Sequence, residues 1–241
     1  MLTIQNIHKS FGGVRALDGS NFVIPKNQVT ALIGPNGAGK TTLFDIICGL
    51  TRPDSGKIIF NGSDITKLAT YKIANLGISR TFQQVRLFRN LSILDHLLMS
   101  ENNDDTKLFK NFFQKNIKPK NYQNLLEEFG IKKTSDALVC DLSYGQRKLL
   151  QIAMALNKPH KILLLDEPVA GVNNLVQTEI ENLLLKLKAK GETILLIDHD
   201  MNFVKRLSDH VIALDAGKMI TEGSPAEVLN NERVLEAYLG K

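Results

Sequence analysis

The residues best suited to chemistry begin at "GPNGAGKTT", Gly34 to Thr42, which fits G-x-x-x-x-G-K-[ST]. The buried-looking apolar run "VTALIG" leads into it and the apolar stretch "LFDIICGL" follows, so the pattern sits between a strand and a helix. Glycines let the backbone wrap an anion with its N–H groups turned inward, and the helix start adds partial positive charge. Asn36, Gly37, Ala38, Gly39, Lys40, Thr41 and Thr42 are therefore the expected phosphate contacts. Lys40 would reach the β- and γ-phosphates of a nucleotide, and the Thr41 hydroxyl would ligate Mg²⁺.

Three further stretches carry polar groups at the ends of apolar runs. "ILLLDEP" ends in Asp166 and Glu167, which should face different ways, at the strand end where such sheets bind ligands. One carboxylate can serve Mg²⁺ while the other orients or deprotonates water, although an apolar run ending in Asp is also an ordinary strand end. "LLIDHD" puts His199 at a neighbouring strand tip within reach of a γ-phosphate; a histidine there is otherwise a satisfied surface or core residue. Gln83 in "RTFQQ" reads as an ordinary polar residue until the other motifs accompany it. "LSYGQR", Leu142 to Arg147, opens a second helix on Ser143 and Gly145, offering a hydroxyl, backbone N–H groups and a helix N-terminus to an anion. A plain helix cap is the competing reading of that segment.

These residues need a scaffold, and the patterning describes one. The first sixty residues alternate apolar and polar positions between Gly, Asn, Asp and Pro, as antiparallel strands with tight turns do. From about Leu91 to Leu150 the apolar spacing becomes helical, and after Pro159 apolar strands alternate with helical stretches, Leu175 to Ala189 and Met201 to Leu207, as in a parallel α/β sheet. The expected division is a nucleotide-binding core over 1–90 and 151–241, including the β subdomain, with a helical subdomain over 91–150 that ends in the second glycine loop. The chain has 241 residues, 43% hydrophobic and 23% charged, enough for a packed core. Its apolar runs fall short of the ~20 residues a bilayer span needs. The N-terminus lacks the basic and apolar regions of a signal peptide, so export by that route is not expected. Cys48 and Cys140 fit neither a metal spacing nor a disulfide framework and read as buried small hydrophobes. A net charge of +5 with interspersed signs does not call for a nucleic-acid partner.

In their order along the chain, the motifs resemble the ATP-hydrolysing subunit of ATP-binding cassette (ABC) transporters. "GPNGAGKTT" is similar to the Walker A loop, "TFQ" to the Q-loop, "LSYGQ" to the signature loop, "ILLLDEP" to Walker B, "AGVNN" to the D-loop and "DHD" to the switch-histidine segment. The resemblance implies an α/β fold with a P-loop NTPase (RecA-like) core, an N-terminal antiparallel β subdomain and a helical insert. It implies that two cassettes bind head to tail around two Mg·ATP, so that Ser143, Gly145 and Gln146 complete a partner's site. Carried over residue by residue, Phe11 matches the adenine-stacking position, and Gln83 and Asp166 match direct or water-mediated Mg²⁺ contacts beside Thr41. Glu167 matches the catalytic base, and His199 the residue that holds the γ-phosphate and attacking water. Three positions depart from the common pattern: Tyr144 in the signature loop, Asn173 in the D-loop and Asp198 before the histidine.

"LSYGQ", the "AG-x-N" D-loop, "GISRTFQQVRLF" and the terminal "VLEAYLG" look like cassettes of branched-chain amino acid importers. Similar cassettes serve urea importers and lipopolysaccharide export, and a soluble non-transport ATPase is a further alternative. The implied partners are a second cassette, itself or a paralogue, transmembrane permease subunits and a substrate-binding protein. The implied location is peripheral, on the cytoplasmic face of the inner membrane. The segment Lys107 to Lys120 has five lysines and no acid, with Phe109 and Phe113 at i, i+4. It reads as an insert helix with solvated lysines or as a patch near anionic headgroups.

Overall fold

The computed structural model describes residues 1–101 and 122–239, so the question raised by Lys107 to Lys120 falls outside the described residues. The chain divides into two compact units, Met1–Gln83 with His160–Ala170 and Glu181–Lys241, and Gln84–Pro159 with Gly171–Ile180.

The first unit contains two sheets. β1 (Leu2–Phe11), β2 (Val14–Ile24), β4 (Ser55–Phe60) and β5 (Ser63–Asp64) form an antiparallel sheet in the order β2-β1-β4-β5. Its register sets Leu2 opposite Ile24 and Phe60, and Ile4 opposite Phe22 and Ile58, all buried. Alternation thus gathers one apolar face, as a period of two requires. The second sheet runs β10-β9-β3-β8-β7-β6, built from β3 (Val29–Ile33), β6 (Ile78–Arg80), β7 (Ile162–Asp166), β8 (Ile194–Ile197), β9 (His210–Asp215) and β10 (Lys218–Gly223). Five of these strands are parallel and only β10 is antiparallel. β3, β7 and β8 are buried at every position, which explains sequences that are apolar apart from Thr30 and the terminal Asp166.

Helix α1 (Lys40–Ile47) inserts Leu43, Phe44 and Ile47 into a core shared with Leu2, Ile4 and Ile24 of one sheet and Leu32, Leu164, Leu195 and Ile212 of the other. Full burial of Phe44 alone contributes about 1.5–3 kcal/mol. The parallel register then decides what meets at the sheet's C-terminal edge. Leu32 lies opposite Ile197, and Ile197 opposite Asp166, so the loop after β3, Glu167 after β7 and His199 after β8 emerge side by side.

The second unit is helical. After α2 (Thr70–Asn75) of the first unit come α3 (Ile93–Ser100), α4 (Tyr122–Glu128), a 3₁₀ turn at Val139–Asp141, α5 (Tyr144–Asn157) and the start of α6 (Asn174–Ala189), which continues in the first unit. α3 packs on α5, whose buried face includes Leu149, Leu150, Ile152 and Ala153. The chain closes in the first unit with α7 (Met201–Leu207), α8 (Pro225–Leu229) and α9 (Glu232–Leu239). The expected class is the one observed: an α/β core with an antiparallel N-terminal sheet. Among the described residues no helix is long and apolar enough to cross a membrane.

Candidate functional site

The loop Gly34 to Lys40 is shaped by backbone conformations that only glycine adopts easily. Gly37 and Gly39 have φ of +84° and +95°, and a Cβ at Gly39 would lie 2.3 Å from the Ala16 carbonyl oxygen. Gly39 also stands at the N-cap of α1 and no side chain caps that helix, so its first N–H groups stay available to an anion. The Lys40 ammonium is nearly buried and turns back to donate to the carbonyls of Gly34 at 2.7 Å and Pro35 at 2.9 Å. Burial lowers its pKa, opposed by the Glu167 and Asp166 carboxylates. The Thr41 hydroxyl is exposed at the mouth of a cleft of about 410 Å³ that Asn36 to Thr42, Gln83, Glu167 and His199 line together with Val14 and Ala16.

Glu167 sits between two polar neighbours. Gln83 Nε2 donates to Glu167 Oε2 at 2.8 Å, and His199 Nε2 lies 3.1 Å from Oε1. Its φ of +48° is costly for a residue with a Cβ, of order 1–3 kcal/mol. Asp166 is 2% exposed and accepts from Arg80 Nη2 at 3.0 Å. Arg80 also donates to Asp45 at 2.6 Å and lies over the rings of Phe44 and Phe82. Burial raises the Asp166 pKa against the pull of Arg80. Asp198 is buried as well, and its Oδ1 accepts from the backbone N–H groups of His199 and Asp200, which sets the turn that presents His199.

The groups present suit a nucleotide with Mg²⁺. Among the described residues no cluster of three His, Cys, Asp or Glu side chains could hold a metal on its own. Mg²⁺ does not require one, since it is ordinarily held by one or two carboxylates, substrate phosphates and water. Phe11 does not itself line the cleft but pairs with Val14, which does, in the β1–β2 hairpin; it is 50% exposed, with Lys9 Nζ 5.1 Å from its ring centre.

In the second unit, Ser143 closes a capping box with Gln146. Ser143 Oγ accepts from Gln146 N–H at 3.2 Å, and Gln146 Oε1 accepts from Ser143 N–H at 3.0 Å. The exposed hydroxyl keeps its own proton free to donate. A Cβ at Gly145 would lie 2.7 Å from a Val176 methyl, so this glycine lets α5 approach the start of α6. Asn173 accepts from Val176 N–H at 3.0 Å and caps α6.

The family model for ABC transporters matches residues 17–170, and that for branched-chain amino acid ATP-binding cassette transporters matches residues 218–241. The chain belongs to the ABC transporter family. A probable branched-chain amino acid transport ATP-binding protein LivG of Archaeoglobus fulgidus is 35% identical over 246 residues, 100% of this chain and 95% of the relative. The high-affinity branched-chain amino acid transport ATP-binding protein BraF of Pseudomonas aeruginosa is 36% identical over 250 residues, 100% and 98%. The crystal structure of the ADP conformation of an ATP-binding cassette of an ABC transporter superposes with a TM-score of 0.84 at 34% identity, covering 100% of this chain and 99% of that one.

This cassette is thus a nucleotide-binding ATPase subunit, and several residues of its site carry no mark in the sequence. Arg80 has no motif of its own, although it holds Asp166. Val14 and Ala16 reach the cleft only because the β1–β2 hairpin folds toward the loop. Tyr238 accepts the Gly34 N–H at 2.7 Å from 204 positions away. The sequence signals it only as part of the terminal "VLEAYLG".

Proposed function

We propose that this cassette hydrolyses Mg·ATP to drive import of branched-chain amino acids. The observation that carries the catalytic assignment is Glu167 held between Gln83 and His199 at the cleft formed with the phosphate loop. Glu167 acts as the base, taking the proton of the attacking water, and His199 orients that water and the γ-phosphoryl group. Lys40 exchanges its two loop carbonyls for the β- and γ-phosphates, and the open start of α1 accepts the remaining negative charge. Thr41, Gln83 and Asp166 would hold Mg²⁺, which would supply positive charge against the phosphates. For Asp166 to take part, Arg80 keeps its second contact with Asp45 while sharing the Asp166 carboxylate. Phe11 supplies a ring for adenine at the rim.

The second half of the site comes from another copy or a paralogue. Ser143 of the partner subunit, with the backbone at its Gly145 and the side chain of its Gln146, meets the γ-phosphate, so closing the dimer assembles the catalytic site. The helical subdomain, residues 91–150, transmits closure to the permease. A concavity of about 310 Å³ in the second unit, lined by Gln84, Val85, Leu87 and Arg89 with Val139, Tyr144 and Arg147, suits a short permease helix. The cassette then works at the cytoplasmic face of the membrane, with a substrate-binding protein supplying cargo outside.

The cargo assignment is supported by the match at residues 218–241 and by the named cargo of the relatives. Its test is uptake of labelled leucine, isoleucine and valine by cells whose only copy is this chain or its Glu167→Gln form. Uptake with the parent and none with the variant is expected. Equal uptake in both removes the cargo assignment and makes urea and lipid export the next cargoes to assay.

A further inference from the structure

The C-terminal segment holds the phosphate loop at both ends. Gly34, the loop's first residue, has φ of +149°, and a Cβ there would lie 2.1 Å from the Leu214 carbonyl oxygen at the end of β9. Its N–H donates to the Tyr238 hydroxyl at 2.7 Å, while its carbonyl accepts from Lys40 Nζ at 2.7 Å. At the other end of the loop, Gly217 N–H in the β9–β10 turn donates to the Ala38 carbonyl at 3.2 Å. Tyr238 lies on α9, anchored through buried Val234 and through contacts with α8 and β10. Tyr238 is 37% exposed as a residue, yet desolvation on the side facing the loop pushes the phenol up to about 12, against the opposite pull of the Gly34 N–H, and the hydroxyl is a neutral acceptor at any physiological pH.

The Lys40 ammonium has three N–H groups, two of which go to the Gly34 and Pro35 carbonyls, so reaching both the β- and the γ-phosphate takes at least one of them from the loop. When the Gly34 carbonyl is the one released, the Tyr238 contact to the Gly34 N–H stays. We propose that Tyr238 is a positioning residue for the phosphate loop: by accepting the Gly34 N–H it keeps the loop's first residue in place while Lys40 moves to the phosphates, and so makes nucleotide affinity depend on the C-terminal helix. The inference rests on the reading of Gly34 to Thr42 as the nucleotide loop.

The test uses the full chain with Tyr238→Phe, which keeps the ring and removes the acceptor, and with Leu235→Ala and Leu239→Ala, exposed on the same helix, as controls. Titration with a fluorescent ADP analogue, steady-state ATP hydrolysis and nucleotide-free thermal unfolding are measured for each. Tyr238→Phe should weaken nucleotide binding about tenfold, the equivalent of about 1.4 kcal/mol and within the cost of leaving a part-buried N–H unpaired. KM should rise in step, kcat at saturating ATP should stay within about twofold, and the two leucine variants should bind as the parent does. Loss of kcat with unchanged affinity would mean that Tyr238 merely supports folding, and equal weakening by the leucine variants would assign the effect to the helix as a whole; either overturns the proposal. A parent chain that binds no nucleotide would instead remove the loop reading itself, a result distinct from parent-like binding by Tyr238→Phe.

Discussion

Helices α1 and α5 both start at a glycine motif, and they begin in opposite ways. α1 follows Gly39 in a left-handed conformation with no side-chain cap, whereas α5 follows Ser143 inside a closed capping box. The glycines differ too. Gly39 is needed for its φ and for clearance from a backbone carbonyl, while Gly145 has ordinary helical geometry and is needed because Val176 packs against it. A helix start whose donors stay open can hold an anion by itself. A start whose cap takes up the Ser143 and Gln146 N–H groups keeps the intervening backbone N–H groups and one hydroxyl proton to offer, which suits a contribution to a site completed elsewhere.

The contrast can be tested in order of expected effect. Glu167→Gln should lower the rate of phosphate release by about 10²–10⁴ while nucleotide binding to the α1 loop persists. Gly39→Ala should cost about 2–4 kcal/mol in strain and displaced backbone and should abolish binding of a fluorescent nucleotide, as read by denaturant unfolding and titration. Gly145→Ala meets side-chain methyls instead of a carbonyl. Its overpacking cost of about 1–3 kcal/mol is partly offset by the helix propensity of alanine, and binding to the single chain should not change. If Gly145→Ala abolished that binding, the two loops would not be separable as described. Ser143→Ala should cost about 1 kcal/mol of stability through the lost cap. In a Glu167→Gln background it should also lose ATP-induced dimerisation, measured by light scattering.

The smallest effect concerns the cysteines that flank the two loops. Cys48, just past α1, is buried and its thiol is pushed up to about 11, whereas Cys140, before the signature loop, is partly exposed. At pH 8 a thiol reagent should label Cys140 and spare Cys48 until the chain unfolds, because the thiolate is the reactive form.

Local pattern made the loop, the strands β3, β7 and β8 and the terminal groups Glu167 and His199 legible, since a buried parallel strand reads as an unbroken apolar run and a phosphate loop as fixed glycine spacing. The start of α1 was less so. Its apolar run suggests a helix from Leu43, yet the helix opens at Lys40 because the loop backbone feeds directly into it, and it ends before Gly49 at φ +69°. The partners of Asp166 were not legible at all: "RTFQ" draws attention to Gln83, and nothing near Arg80 says that its guanidinium joins Asp45 to Asp166. The position of Phe11 likewise depends on a strand register with shifts at Ile4/Ile7, Ile7/His8 and Lys9/Ser10.

By itself, the sequence determined the groups available for phosphate chemistry, the α/β class and the family, because each is written in residues a few positions apart whose spacing carries the geometry. Only the tertiary structure decided which of those groups meet. The register that aligns Leu32, Ile197 and Asp166 brings Glu167 and His199 to the loop, and the return of α9 brings Tyr238 to Gly34. Those contacts join residues 32 to 204 positions apart, and over such separations no local propensity acts; packing of the shared core selects them.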